Sequence, residues 1–409
     1  MGQSTVETST MDSAYESPVQ ASRGERRLRQ VGAWIILYLL LQAQLGLAWD
    51  REWHDLVGRD QFWIPPHIMM YSGLGGVGIV ALVLILADTL RYWRRKPGVD
   101  DGSTVNIFWV FHAPLGFLMV GFGALTDLLA APFDNYWHQL YGIDVTLWSP
   151  FHLMGSIGGV LAGLGSVYIF ASEASIERQT PGSHYRFLGL NGSEWGVVIL
   201  LAAFIELTLP SLTAFIPVPI GSMQLLTYPL ILTIAICGSL FGVVQTIRKP
   251  GIASITITIL CLEALLTQLF VPWALDYVVP RFGYTFRFAG RDPSFNTTLV
   301  ILPLIFFLSA FLLDGVSYSQ RFRKGTVQEP LQGVIIIGML MTLPLLVLPS
   351  LLVQILLQGT HISVPPDVIR VLGPDWLDTL VTLPVALLLG TIIAMLASSL
   401  GDIWHLSRQ

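Results

Sequence analysis

Apolar runs near the roughly 20-residue length that crosses a bilayer begin close to residues 31, 67, 106, 152, 196, 223, 252, 297, 331 and 377. Short polar stretches separate them. The pattern predicts an all-α integral membrane protein of about ten transmembrane helices, arranged as five hairpins. Before the first run, residues 1–30 are polar and charged, and 1–22 are rich in Ser and Thr. That composition predicts a disordered N-terminus. It has no apolar core of the signal-peptide kind, so the first span is expected to start membrane insertion.

Basic residues set the expected orientation. Arg23, Arg26, Arg27 and Arg29 precede the first run, and Lys96, Lys249 and Lys324 all fall in alternate loops. The runs R-Y-W-R-R-K at 91–96 and R-F-R-K at 321–324 lie on the same side. By the positive-inside rule both termini are cytoplasmic and the hairpin tips point outward.

Composition narrows the class further. Hydrophobic residues make up 53% of the chain and charged residues only 12%, about half the share of a soluble domain. Mean hydropathy is +0.65. The lipid bilayer is therefore the expected environment, and a net charge of −5 with no basic tract excludes a nucleic-acid binder. Cys237 and Cys261 sit in apolar runs and form neither a disulfide framework nor a CxxC motif.

Polar residues cluster at two of the expected hairpin tips. The first reads W-D50-R-E-W-H54-D-L-V-G-R-D60-Q-F-W-I-P-P-H67 and the second F-D134-N-Y-W-H138-Q-L-Y-G-I-D144-V-T-L-W-S-P-F-H152. Each gives D-x3-H, then Gly and Asp four and six residues after that His, then Pro and a second His. Four of the eight histidines fall in this pattern, and Gly73 and Gly158 recur at one offset beyond it. The first two hairpins thus read as an internal repeat. Residues 31–175 form a metal-binding four-helix half, and 195–409 a six-helix half with no comparable cluster.

Positions i and i+4 share a helix face, so Asp50 projects with His54, and Asp134 with His138. Pro66 and Pro150 suit the first turn of the returning helix, which carries His67 or His152 back to the pair. Each hairpin could then present two imidazoles and a carboxylate to one point. Ligand type admits zinc, copper or non-haem iron, and one or two ions. Asp60, Asp144 and Asp127 are candidates for supporting the ligands or for a proton path, Asp127 lying two turns deeper on the face of Asp134. A purely structural role is the alternative, with Asp60 and Asp144 capping the returning segments. Trp49, Trp53, Trp63, Trp137 and Trp148 suit an interfacial belt or the wall of a dry pocket. His112 reads as a structural residue low on the third helix, and Glu206 and Glu263 as single carboxylates inside spans.

The clusters resemble the C subunit of the copper membrane monooxygenases, the particulate methane and ammonia monooxygenase family. That subunit carries a D-x3-H-x12-H copper triad with an Arg-Asp pair and a Pro between the histidines. Asp50, His54 and His67 have that spacing, with Arg59, Asp60 and Pro65 at the matching places. The family's second triad, N-x3-H-x13-H with Pro two residues before the last His, is matched by Asp134, His138, Pro150 and His152. Asp134 replaces the family's Asn. The resemblance covers about residues 33–175. It implies copper near the outer face of a prokaryotic cell membrane, oxidation of a small apolar substrate by dioxygen, an electron donor such as quinol, and partner subunits. One such partner bears a periplasmic cupredoxin-like domain in the family, and nothing in this chain looks like it. Alternative readings are a non-enzymatic copper-handling or transport protein, and a proton-coupled transporter whose Asp/His pairs are relays.

Overall fold

The computed structural model describes residues 23–58, 61–95, 104–142, 149–179, 186–209, 217–288, 293–324, 333, 335–345 and 376–406. Their helices are α1 (Arg23–Leu56), α2 (Pro65–Trp93), α3 (Leu115–Tyr141), α4 (Pro150–Gln179), α5 (Gly192–Thr208), α6 (Thr227–Ile247), α7 (Ile252–Arg281), α8 (Thr297–Lys324), α9 (Ile335–Leu345) and α10 (Trp376–Leu406). All but α5 and α9 are long and apolar enough to cross a membrane. Two small antiparallel hairpins complete the described structure: β1 (Thr104–Ile107) with β2 (Phe111–Pro114), and β3 (Val218–Ile220) with β4 (Met223–Leu225).

α1 begins at Arg23, so residues 23–30, grouped above with the N-terminal segment, are helical. Carboxylates on neighbouring helices hold them there. Arg29 contacts Asp88 of α2 at 3.2 Å and Arg26 contacts Glu173 of α4 at 2.9 Å, while Glu25, on α1 itself, pairs with Arg29 at 3.1 Å. The same end of the bundle holds Lys249 against Glu194 at 2.5 Å and Arg248 against Asp402 at 2.7 Å. Asp314 acts differently from its neighbours: its carboxylate accepts from the backbone N–H groups of Ala253 and Ser254, closing the first turn of α7. Asn191 caps α5 in the same region, its side chain accepting from Glu194 N while Glu194 Oε2 accepts from Asn191 N.

The apolar run near 106 does not open as a helix. Phe108 and Trp109 take left-handed backbone conformations (φ 53° and 61°), which turn the chain back on itself before α3 starts. His112 therefore lies on β2 rather than on the third helix. Its ring stacks on Tyr92 with centroids 3.4 Å apart, and its backbone N–H donates to Thr89 Oγ1.

One hydrophobic core runs through the bundle without a break between α4 and α5, gathering residues from Ala33 on α1 to Trp404 on α10. A second cluster lies at the other end of α1. There Trp49, Trp53, Leu56 and Val57 pack with Ile64 and with Val271, Ala274, Leu275 and Val279 of α7. Trp53 is fully buried and meets Tyr284 edge-on at 4.9 Å, while Trp49 meets Phe270 at 5.9 Å. Arg287 N donates to Leu56 O at 2.6 Å, tying the segment after α7 to the end of α1. Trp49 and Trp53 thus serve interhelical packing, and Trp63 is exposed. Trp148 lies outside the described residues.

Candidate metal centre

α1 and α2 are joined by a short connection, and their approach is set by small residues. A Cβ on Gly73 would fall 2.7 Å from Leu39 O and 3.0 Å from Ala43 Cβ. α3 and α4 meet equally closely, with a Cβ on Gly158 falling 2.8 Å from Gly123 O. The last turns of α1 and α3 carry the Asp and first His of each cluster. The first turns of α2 and α4, begun by Pro65 and Pro150, carry the second His.

Each carboxylate sends one oxygen toward each of its two imidazoles. Asp50 Oδ2 lies 3.5 Å from His54 Nε2, and Asp50 Oδ1 lies 3.1 Å from His67 Nε2. In the second cluster Asp134 Oδ2 is 3.3 Å from His138 Nε2, and Asp134 Oδ1 is 3.3 Å from His152 Nε2. Within each triad one donor atom per residue lies within 4.8 Å of the others. Ring centroids stand 6.2 Å apart for His54 and His67, and 5.7 Å apart for His138 and His152. Asp50 and His67 are buried, whereas the second triad is partly open.

The donor sets fit a metal ion. Nitrogen and oxygen donors about 2.0–2.1 Å from one tetrahedral centre stand roughly 3.3 Å from each other, close to each carboxylate–imidazole separation, and one donor per residue lies within 4.8 Å of the others. Asp50 Oδ1 and Asp134 Oδ1 are buried, and each faces the Nε2 atom of the second imidazole of its triad. The second nitrogen of His138 faces Gly142 O at 3.2 Å. An Nδ1–H donating there leaves the Nε2 lone pair directed at Asp134, the arrangement that orients metal-binding imidazoles. Gly142 (φ 85°) and Gly58 (φ 72°) each stand four residues after the first His of their triad. That left-handed conformation turns the chain out of the helix just past the ligands.

A cleft of about 200 Å³ lies between the hairpins, lined by Gln61, Phe62, His67 and Tyr71 from one and by Asp134, Asn135 and His138 from the other, so one ligand of the first triad and two of the second reach it. Tyr71 lies one turn beyond His67, ring centroids 5.4 Å apart, and Phe62 stacks on Tyr71 at 5.2 Å. Sequence reasoning missed Tyr71, Gln61 and Asn135. The only signal for Tyr71 was its i+4 spacing from His67.

Other expected site residues are distributed differently. Asp127 is buried below Asp134, its Oδ1 so placed that a Cβ on Gly158 would approach within 2.6 Å and its Oδ2 without a hydrogen bond. Asp60 and Asp144 lie outside the described residues, as does Arg59. Glu206 and Glu263 sit apart from both triads, within the bundle. No family model, no curated protein and no solved structure matches the chain.

Proposed function

We propose that this chain is a membrane copper protein, a monooxygenase-like oxidoreductase with two triads, each of two histidines and one aspartate. These triads, Asp50/His54/His67 and Asp134/His138/His152, reach one cleft through His67 and through Asp134 and His138 and serve oxidation of a small apolar substrate. The observation that carries the reading is the convergence of two separate His/His/Asp donor sets, with His67 of one and Asp134 and His138 of the other lining a cleft beside Phe62 and Tyr71. The spacing of the ligands, similar to the C subunit of the copper membrane monooxygenases, favours copper over zinc or iron. The matching hairpins, with Gly73 opposite Ala43 and Gly158 opposite Asp127, support an internal repeat. The ion-paired end of the bundle, opposite the triads, supports a reading in which both termini are cytoplasmic and the cleft faces outward.

Copper, when bound, supplies the one-electron steps that activate dioxygen. Overall, R–H, one dioxygen and one quinol give R–OH, water and quinone, the quinol providing two electrons and two protons. The imidazoles hold the ion through nitrogen, and the carboxylates balance its charge. Phe62 and Tyr71 limit water at the cleft, which suppresses side reactions. Partner subunits would deliver the electrons.

A proton-relay reading would treat the same contacts as metal-free His–Asp pairs. Elemental analysis of copper-loaded protein separates the two. Two filled triads give about two equivalents per chain, and His54→Ala or His138→Ala leaves about one, since two-residue sites hold metal poorly. Quinol-dependent oxygen uptake then tests turnover. A copper-free wild-type protein after loading overturns the reading.

A further inference from the structure

Two carboxylates inside the bundle are not accounted for by the triads. Glu206, near the end of α5, is buried at 3% exposure. Its Oε1 accepts from Thr267 Oγ1 of α7 at 2.9 Å, and its Oε2 accepts from the Gln44 side-chain amide of α1. Both of its oxygens are therefore met by neutral donors. Glu263 precedes Thr267 by four residues and so lies one turn away on the same face of α7. Both Glu263 oxygens are shut off from solvent and form no hydrogen bond. The Glu206 charge is near enough to act on Glu263. No ion pair among the described residues reaches either carboxylate.

We propose that Glu206 and Glu263, held between α1, α5 and α7, form a site that binds one exchangeable proton. The argument is a count of partners. The two available donors, Gln44 and Thr267, are both used by Glu206, which suits an ionised carboxylate. Glu263 has no donor and no cation, and a second negative charge there would stand unpaired beside the first. Two carboxyls in such a setting share one proton, which belongs to the pair.

The position gives the proton a direction. Gln44 lies six residues before Asp50 on α1, roughly 9 Å along the helix axis, and Glu263 lies a turn further from the triad end. The pair thus stands beneath the first triad, on the interface where α5 and α7 join the hairpin that carries it. Intramembrane carboxylates so placed are groups for proton transfer. This assignment stands whether or not the triads hold metal.

Apolar carbodiimides modify protonated carboxyl groups in lipid-like surroundings. The test incubates the full-length protein in lipid nanodiscs with dicyclohexylcarbodiimide at neutral pH and maps the adduct by peptide mass spectrometry. The expected result is modification at Glu263 in the wild type, none at that position in Glu263→Gln, and severalfold slower labelling of Glu263 in Glu206→Gln, where the repelling charge is gone. Far-ultraviolet circular dichroism and the gel-filtration profile report folding in both variants, independently of any metal. Should either variant fail to fold, infrared difference spectra of wild-type protein in H2O and D2O serve instead. A protonated-carboxyl band that shifts on exchange supports the site. A wild type with neither adduct nor band overturns the proposal. Labelling unchanged in a folded Glu206→Gln overturns the pair. Protection by sodium but not by choline overturns it in favour of a metal-cation site.

Discussion

Asp127 and Gly158 are fitted to each other: a Cβ on Gly158 would fall 2.6 Å from Asp127 Oδ1 and 2.8 Å from Gly123 O. At the corresponding crossing of the first hairpin, Ala43 faces Gly73. The second hairpin therefore accommodates a carboxylate where the first has a methyl group, and it does so because residue 158 has no side chain.

Gly158→Ala is expected to destabilise the protein by about 1–3 kcal/mol, the usual cost of overfilling a tight contact. Combining it with Asp127→Ala recovers part of the loss, since the clash with Gly123 O persists. Denaturation midpoints in one detergent check both statements. A fully additive double variant would show that Asp127 and Gly158 do not interact.

Eight of the ten expected spans are helices long and apolar enough to cross a membrane among the described residues, and the residues of each triad come together; both were legible in the sequence because each is local. Run length marks a helix, and D-x3-H followed by Pro and His needs only one helix end and one short connection. The cleft was not legible. Tyr71 and Asn135 line it from different hairpins, and nothing within either segment encodes that approach. Glu206 finds its donors in Gln44 and Thr267, 162 and 61 residues away, and appeared from sequence as an isolated carboxylate. His112 was misplaced on a helix because hydropathy does not distinguish a buried strand from the start of a span. The left-handed turn at Phe108 and Trp109 decided the matter.

Replacing Asp134 by Asn separates charge from donor type. The amide oxygen still reaches toward His138 and His152, but the negative charge is lost. Removing one charge at contact distance is expected to weaken divalent-ion binding at that triad by about tenfold to a hundredfold, with a smaller loss for Cu(I), which carries half the charge. Asp134→Ala removes the donor as well and abolishes the site. Competitive titration with chelators of known affinity measures the series. Equal losses for Cu(I) and Zn2+ in Asp134→Asn would show that charge is not what the carboxylate contributes.

The end of α1 is held by what lies above it. Gly58 takes a left-handed conformation, and a Cβ there would sit 3.0 Å from Arg287 Cδ. Gly58→Ala is expected to cost about 1–2 kcal/mol, the penalty for an L-residue in that region. It should also lower metal retention at Asp50, His54 and His67 while leaving the Asp134 triad unchanged. Stepwise chelation of the loaded protein resolves the two sites. Equal loosening of both would mean that the segment carrying Arg287 does not act on the first triad alone.

Trp53 tests whether α7 positions the first triad. It stands between Glu52 and His54, fully buried, with Tyr284 at 4.9 Å and Trp49 at 6.5 Å. No group of Trp53 reaches the cleft, so its influence on the site passes through helix packing. Truncation to Ala removes a large buried ring and is expected to cost about 3–5 kcal/mol. Trp53→Phe keeps an aromatic partner for Tyr284 and should cost less. If α7 fixes the direction of α1, metal retention at the first triad follows stability across the two variants, and the second triad keeps its ion in both. If Trp53→Ala loses stability yet holds the first ion as tightly as wild type, the short α1–α2 connection alone sets the triad, and the contact with α7 serves the bundle rather than the site.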